Sequence, residues 1–391
     1  MQGGWNSYRA YSIKDYIKIK TTVCVSIFNF STLSLLHNNY KMTLQDKVLS
    51  AYDLAINDLQ IERIHNGLIN STWLIKKPHN YFILQKVNHH VFKKPEAIAS
   101  NIRLITSYLL KQHPAYLFVA PIKTKSNEEM VYLPGDGYFR LIPFVKGSHT
   151  INTVEKPQQA YEAAKQFGQF TKLLSGFPVE KLQTTIPDFH NLSPRYEQFS
   201  EALKTANKAR LQQSTDLIYF IKDNKDIVDT YEHILENPSF RLRVTHHDTK
   251  ISNVLFNDND KGLCVIDLDT VMPGYFISDV GDMIRTYLSP ANEEEKDFSK
   301  IEIREEYFKA IWDGYIGEMN DELTEEEKKH FIYAGKFMIY MQALRFITDH
   351  LNNDIYYGAK YEGQNFVRAG NQVVLLQRLI EKETTLQHYL I

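Results

Sequence analysis

The chain is poor in cysteine, in net charge and in long apolar runs, and each shortage closes off a class of protein. Only two cysteines, Cys24 and Cys264, occur in 391 residues, so neither a disulfide framework nor a Cys-based zinc site fits. A reducing, cytoplasmic setting is expected. Lys and Arg number 45 against 47 Asp and Glu, a formal charge of −2, which gives nucleic acid or an anionic membrane no electrostatic hold. Residues 21–36, behind Lys14, Lys18 and Lys20, look like a targeting segment but are too short and hydroxyl-rich to span a bilayer. No small-x-small cleavage site follows them. Two chemical motifs are also missing: there is no G-x-G-x-x-G phosphate loop and no H-E-x-x-H metal site.

What is present is a globular composition. A 43% hydrophobic share supplies ample core, and the length allows two or three domains. Residues 1–41 read as a dispensable N-terminal extension, with orderly sequence beginning at Met42. A short amphipathic helix is expected over 43–59, followed by strands at Ile61 to Ile64, Trp73 to Ile75 and Tyr81 to Val87. A helix over 95–112 opens with Pro95. A hairpin then joins Met130–Leu133 to Tyr138–Ile142 through Pro134-Gly135-Asp136-Gly137. From Pro157 onward the period is helical, through about 176, 195–236, 300–317, 324–351 and 364–382. Thr324 with Glu327 forms a capping box. The order predicts an α+β, bilobal, protein-kinase-like fold, with a small β-rich N-lobe at 42–146 and a larger, mainly helical C-lobe at 147–391.

One non-helical stretch interrupts the second half and concentrates acids and amides. It opens with His246-His247-Asp248, has Asn253 five residues after the Asp, and runs Leu263 to Ile266 into Asp267-Leu268-Asp269. Order and spacing match H-x-D-x-x-x-x-N followed by a strand that delivers a metal-binding Asp. If Val254 to Phe256 and Leu263 to Ile266 pair as a hairpin, Asn253 comes to lie beside Ile266 and Asp267. An amide oxygen and a carboxylate are the protein ligands that a phosphate-bound Mg²⁺ requires. Asp248 is then left to face an incoming hydroxyl. An EF-hand reading of the intervening turn fails, because no register supplies both the Gly at position six and the Glu at position twelve.

The stretch resembles the phosphotransferase superfamily of aminoglycoside phosphotransferases and choline kinases. The phrases H-H-D-T-K-I-S-N-V-L-F, V-I-D-L-D-T-V-M-P-G and D-V-G-D-M-I-R are most similar to N-acetylhexosamine 1-kinases. The resemblance extends from about Gly67 to Gln377. It implies transfer of a phosphoryl group from ATP, with Mg²⁺, to the anomeric hydroxyl of N-acetylglucosamine or N-acetylgalactosamine. It also implies Asp248 as the proton acceptor and substrate contact, and Asn253 with Asp267 as Mg²⁺ ligands. Lys250 either neutralises the transferring group or is a solvated loop lysine; Asp269 either binds a second metal or braces the loop.

Nucleotide contacts are expected from Gly67, Asn70, Ser71 and Thr72, unless that segment is only a hairpin turn. The connector Pro143-Phe144-Val145 would meet adenine. The strand departs from the kinase pattern, since Gln85 stands where the phosphate-pairing lysine belongs and Lys86 points to the other face. Both are carried as candidates. On the sugar side, Arg345 and Asp349 either hydrogen-bond the substrate or pair with each other, and Tyr356 is a candidate stacking wall. Asp279, Asp282 and Arg285 are expected to brace the loop. The protein is expected to be a monomer acting on a small-molecule sugar, without nucleic-acid or membrane partners. The alternatives are a kinase of choline, an aminoglycoside or an amino acid, and a pseudokinase binding module.

Overall fold

A computed structural model of the chain describes residues 43–54, 59–64 and 70–390. The extension at 1–41 and Gly67 lie outside the described residues. Two compact units are formed. The first takes the described residues up to Lys86 together with 114–116 and 121–146; the second takes 87–113, 117–120 and everything from Gly147. One cut falls after Lys146, but the helix expected within the first domain belongs to the second unit.

In the first unit, helix α1 (Leu44–Leu49) starts at a Thr43–Asp46 capping box. Strands β1 (Gln60–Ile64), β2 (Ser71–Lys77), β3 (Asn80–Lys86), β4 (Val131–Leu133) and β5 (Gly137–Pro143) make one antiparallel sheet in the order β1-β2-β3-β5-β4. Alternation along the strands sorts their faces. Ile75, Phe82, Leu84, Phe139 and Leu141 point to one face and bury against Val48, Leu49 and Tyr52. The opposite face carries the row Thr72, Gln85 and Arg140, which are cross-strand partners. The β4–β5 turn places Gly135 and Gly137 at φ +83° and +96°, a region open to glycine without steric penalty.

In the second unit, helix α2 (Pro95–Gln112) carries the fully buried Asn101, whose amide Nδ2 donates to Val271 O at 3.0 Å and to Gln183 O at 2.7 Å. Those bonds tie the helix to the rest of this unit. Helix α3 (Pro157–Leu173) begins on its proline and packs on α9 (Glu305–Met319). Between them in sequence come α4 (Leu192–Thr205), α5 (Lys208–Gln213), α6 (Thr215–Asp223) and α7 (Asp226–Glu236). Strand β6 (Arg243–Thr245) pairs antiparallel with β9 (Met272–Gly274), and β7 (Val254–Phe256) with β8 (Gly262–Val265). Then follow α8 (Phe276–Tyr287), α10 (Glu325–Lys329), α11 (Phe331–Leu351) and α12 (Gln364–Gln387).

The helix expected over 324–351 is broken. His330 Nδ1 takes the Glu326 carbonyl at 2.8 Å, while the His330 N–H bonds Glu327 O at 3.0 Å. The side chain thus occupies an acceptor that the helix ladder would use. Helix α11 is buried almost all round, as its apolar sequence requires. It lies so close to α8 that a Cβ added at Gly281 would stand 2.3 Å from Ala334 O.

Candidate active site

The segment between β6 and β7 is shaped by bonds to its backbone. Asp279, near the start of α8, accepts the N–H of His246 at 3.0 Å and of His247 at 2.7 Å. Asp282, one turn further, accepts the N–H of Thr249 at 2.9 Å. Thr249 Oγ1 donates to Asp279 O at 2.8 Å, and Tyr287 OH donates to Thr249 O. The sequence D-V-G-D therefore supplies acceptors to three backbone N–H groups within four residues of the loop. Within it His247 is held at φ 65°, a region costly for a residue with a Cβ and populated where surrounding contacts over-determine it.

Both histidines are structural parts of this loop. His246 Nε2 donates to Ile266 O at 2.9 Å, a carbonyl that can only accept, which leaves Nδ1 facing the Asp248 N–H at 3.4 Å. Its ring sits edge-on to Phe167 with centroids 5.1 Å apart. His247 Nδ1 lies 3.3 Å from His190 Nδ1, and its Nε2 faces Pro273 O at 3.4 Å. Burial depresses the pKa of His246 and His190, and brings His247 down to about 4. These rings are neutral at pH 7.

Asp248 emerges from this scaffold partly accessible, with Lys250 Nζ 3.1 Å from its Oδ1. The Asp248 carboxylate raises the Lys250 ammonium above its ordinary value. Asn253 Nδ2 donates to Asp248 O at 2.8 Å, which fixes the amide flip and turns Oδ1 away as a hard oxygen donor. The Ile266 N–H donates to Asn253 O at 2.8 Å, as the hairpin spacing predicts. Asp267 follows at φ 60°, another left-handed non-glycine residue. Asp269 is buried in the turn Leu268–Thr270, which Thr270 Oγ1 ties to His246 O at 2.7 Å. Asn253 and Asp267 supply an all-oxygen donor set of the kind Mg²⁺ takes, with phosphate and water completing the octahedron. Among the described residues no group of three or more His, Cys, Asp or Glu side chains forms an all-protein cage.

In the first unit, Thr72 and Gln85 share the row on the face away from α1, whereas Ser71 and Lys86 share the other face with Phe139. Lys86 Nζ stands 5.7 Å from the centre of the Phe139 ring. Asn70 immediately precedes β2. The Phe144 N–H donates to Tyr81 O at 3.1 Å, so that donor serves the sheet.

Within the second unit, beside His247, lies a group rich in guanidinium and aromatic rings. Phe189 stacks on His190 with centroids 4.4 Å apart and is 6.4 Å from the His247 ring. Arg345 Cζ is 5.9 Å from the Phe189 ring and 5.4 Å from the Tyr357 ring. Its Nε is buried without a hydrogen-bond partner. Burial depresses the pKa of Arg195, and the neighbouring Arg345 charge adds to the depression. Arg345 and Asp349 do not pair with each other. Asp349 instead accepts the N–H groups of Tyr356 and Tyr357 at 2.7 and 2.9 Å and the Asn365 amide at 3.0 Å. It braces the loop that carries Tyr356, which is 69% exposed, and the expectation of a direct sugar contact from Asp349 gives way to that role. An i,i+4 spacing reveals shared helix faces but not a loop eight residues downstream competing for the carboxylate.

Arg285 holds Asp282 at 2.9 Å, in line with the bracing role expected of the pair. The sequence did not reveal Asn101, which donates to Val271 O beyond the Asp267 turn, nor Glu293, which meets Arg285 at 3.1 Å and also Arg368. Burial opposes the Glu293 charge, yet Arg285 and Arg368 hold its carboxyl below the ordinary value.

Comparison with solved structures gives the same architecture. An aminoglycoside phosphotransferase from Alicyclobacillus acidocaldarius is 15% identical with a TM-score of 0.58, the alignment covering 89% of this chain and 97% of that one. A microcompartment-associated aminopropanol kinase is 13% identical with a TM-score of 0.57, covering 88% and 98%. A spectinomycin phosphotransferase in complex with ADP and spectinomycin is 14% identical with a TM-score of 0.55, covering 88% and 99%. The model of the phosphotransferase enzyme family matches residues 60–318, well over half of the sequence, and the chain belongs to that family.

Proposed function

We propose that the protein is an ATP- and Mg²⁺-dependent kinase of an N-acetylhexosamine, phosphorylating the anomeric hydroxyl. Family membership and the ADP held by one similar structure support the phosphoryl donor. The observation that carries the choice of acceptor is the guanidinium-rich surround of the catalytic loop, with a buried Arg345 Nε that lacks a hydrogen-bond partner. A cationic substrate such as choline or an aminoglycoside would meet like charge there. A neutral sugar with an N-acetyl carbonyl offers an acceptor to Arg345 and an apolar ring face to Tyr356.

In the proposed reaction the Asp248 carboxylate accepts the hydroxyl proton as the sugar oxygen bonds to the γ-phosphorus. The bond from that phosphorus to the β–γ bridging oxygen breaks, ADP leaves, and Asp248 later returns its proton to solvent. Lys250, 3.1 Å from Asp248 Oδ1, would neutralise charge on the transferring group. Asn253 and Asp267 would hold Mg²⁺, which when bound neutralises charge on the β- and γ-phosphates. Asp269 braces the turn below them. Positioning and charge complementarity carry most of such a reaction.

A panel of N-acetylglucosamine, N-acetylgalactosamine, choline and an aminoglycoside, assayed by Mg²⁺-dependent ADP release, tests this reading. Turnover confined to the sugars is expected; turnover only with the cations would overturn it. Asp248→Asn should lower kcat by about 10²–10⁴-fold with ATP binding retained. A variant that keeps full activity would reassign the base.

A further inference from the structure

In kinases of this architecture a lysine on the third strand meets the nucleotide phosphates. Here that position is Gln85, and no lysine shares its row, because Lys86 lies on the α1 face beside Phe139. The row is completed by Arg140, directly across from Gln85 on β5 and only 2% exposed. Arg140 Nε and Nη2 lie 2.9 and 2.8 Å from Gln85 Oε1. A guanidinium can only donate, so the oxygen of the Gln85 amide must face it and the NH₂ group must face away. Two charge-assisted bonds to one carbonyl oxygen also polarise the amide and strengthen its N–H groups as donors.

We propose that Gln85 Nε2 is the phosphate-contacting donor of the first unit's sheet, and that Arg140 is the positioning residue that fixes its orientation. The ligand class is a nucleoside di- or triphosphate, and the assignment rests on the kinase reading above. It explains how a strand without the usual lysine still presents a strong donor. Arg140 acts through Gln85: removing it frees the amide to flip and offer its oxygen to the phosphates.

The test is titration of the full chain and its variants with ATP, ADP and adenosine. Arg140→Met should weaken ATP and ADP by about ten-fold, the scale of one hydrogen bond to a charged group, with adenosine unchanged. Gln85→Glu keeps acceptors for Arg140, so the melting temperature should hold. It places a carboxylate against the phosphates, and ATP and ADP should weaken by about a hundred-fold or more while adenosine does not. Arg140→Lys should recover part of the loss. ADP binding that matches the unaltered chain in Gln85→Glu, or an equal loss of adenosine in Arg140→Met, overturns the proposal alone. Failure of the unaltered chain to bind ATP overturns the proposal together with the kinase reading.

Discussion

The Asp279 carboxylate accepts the His247 N–H at 2.7 Å and so holds a left-handed residue directly before Asp248. Burial pushes the Asp279 pKa up to about 7, against the lowering effect of those backbone bonds. Its folded pKa exceeds its unfolded value, so Asp279 favours folding toward acid and loses that contribution as pH rises to about 7. The neutral histidines act oppositely. His190, His246, His247 and His350 are all depressed, so below about 6.5 the unfolded chain takes up protons the fold refuses. Four groups outweigh one, and thermal stability should fall as pH drops from 7 toward 5. Asp279→Asn should steepen that fall while destabilising the loop at every pH. A melting temperature independent of pH across this window would contradict the account.

Gly281 sits where α8 meets α11, and the atom a side chain would strike is the backbone oxygen of Ala334. Backbone cannot rotate aside as a side-chain tip can. Gly281→Ala should destabilise by about 1–3 kcal/mol, the range for overpacking, read by chemical denaturation. A neutral effect would mean that the two helices separate freely.

Glu327 is fully buried and serves both as the reciprocal partner of Thr324 in its capping box and as the ion-pair partner of Arg243 on β6. The two roles differ in size. Thr324→Ala removes a cap and should destabilise by about 1 kcal/mol. Glu327→Ala also strands a buried guanidinium and should destabilise by about 3–5 kcal/mol. Equal effects in denaturant titrations would show that the ion pair contributes nothing.

On the proposed reading Arg345 meets the acceptor sugar, while Asp349 holds the loop that carries Tyr356. Arg345→Ala should raise KM for the sugar by about 10–100-fold, the scale of one or two charge-assisted bonds, and leave KM for ATP unchanged. Asp349→Asn should lower the melting temperature more than it alters KM. Parallel changes in both KM values on Arg345→Ala would reduce that residue to a structural part.

The geometry of the stretch from His246 to Asp269 was legible because it is set locally. The β7–β8 hairpin spacing alone brings Asn253 against Ile266, and the alternation of β3 separates Gln85 from Lys86. What was not legible depends on register or on distant elements. Arg140 meets Gln85 only because β5 inserts beside β3 in one register, which no spacing reveals. Helix α2 reads as part of the β-rich lobe from its place in the chain, yet Asn101 binds carbonyls 82 and 170 residues away. The break at His330 depends on a single imidazole taking a helix carbonyl.

On the proposed reading, Asp248 directs phosphoryl transfer to the anomeric oxygen of an N-acetylhexosamine. Phosphorus-31 NMR of the product formed from ATP, Mg²⁺ and N-acetylglucosamine or N-acetylgalactosamine tests it most directly. A phosphorus resonance coupled to the anomeric proton is expected, absent with Asp248→Asn. A phosphate coupled to the C6 protons, or no sugar phosphate from either substrate, would contradict it.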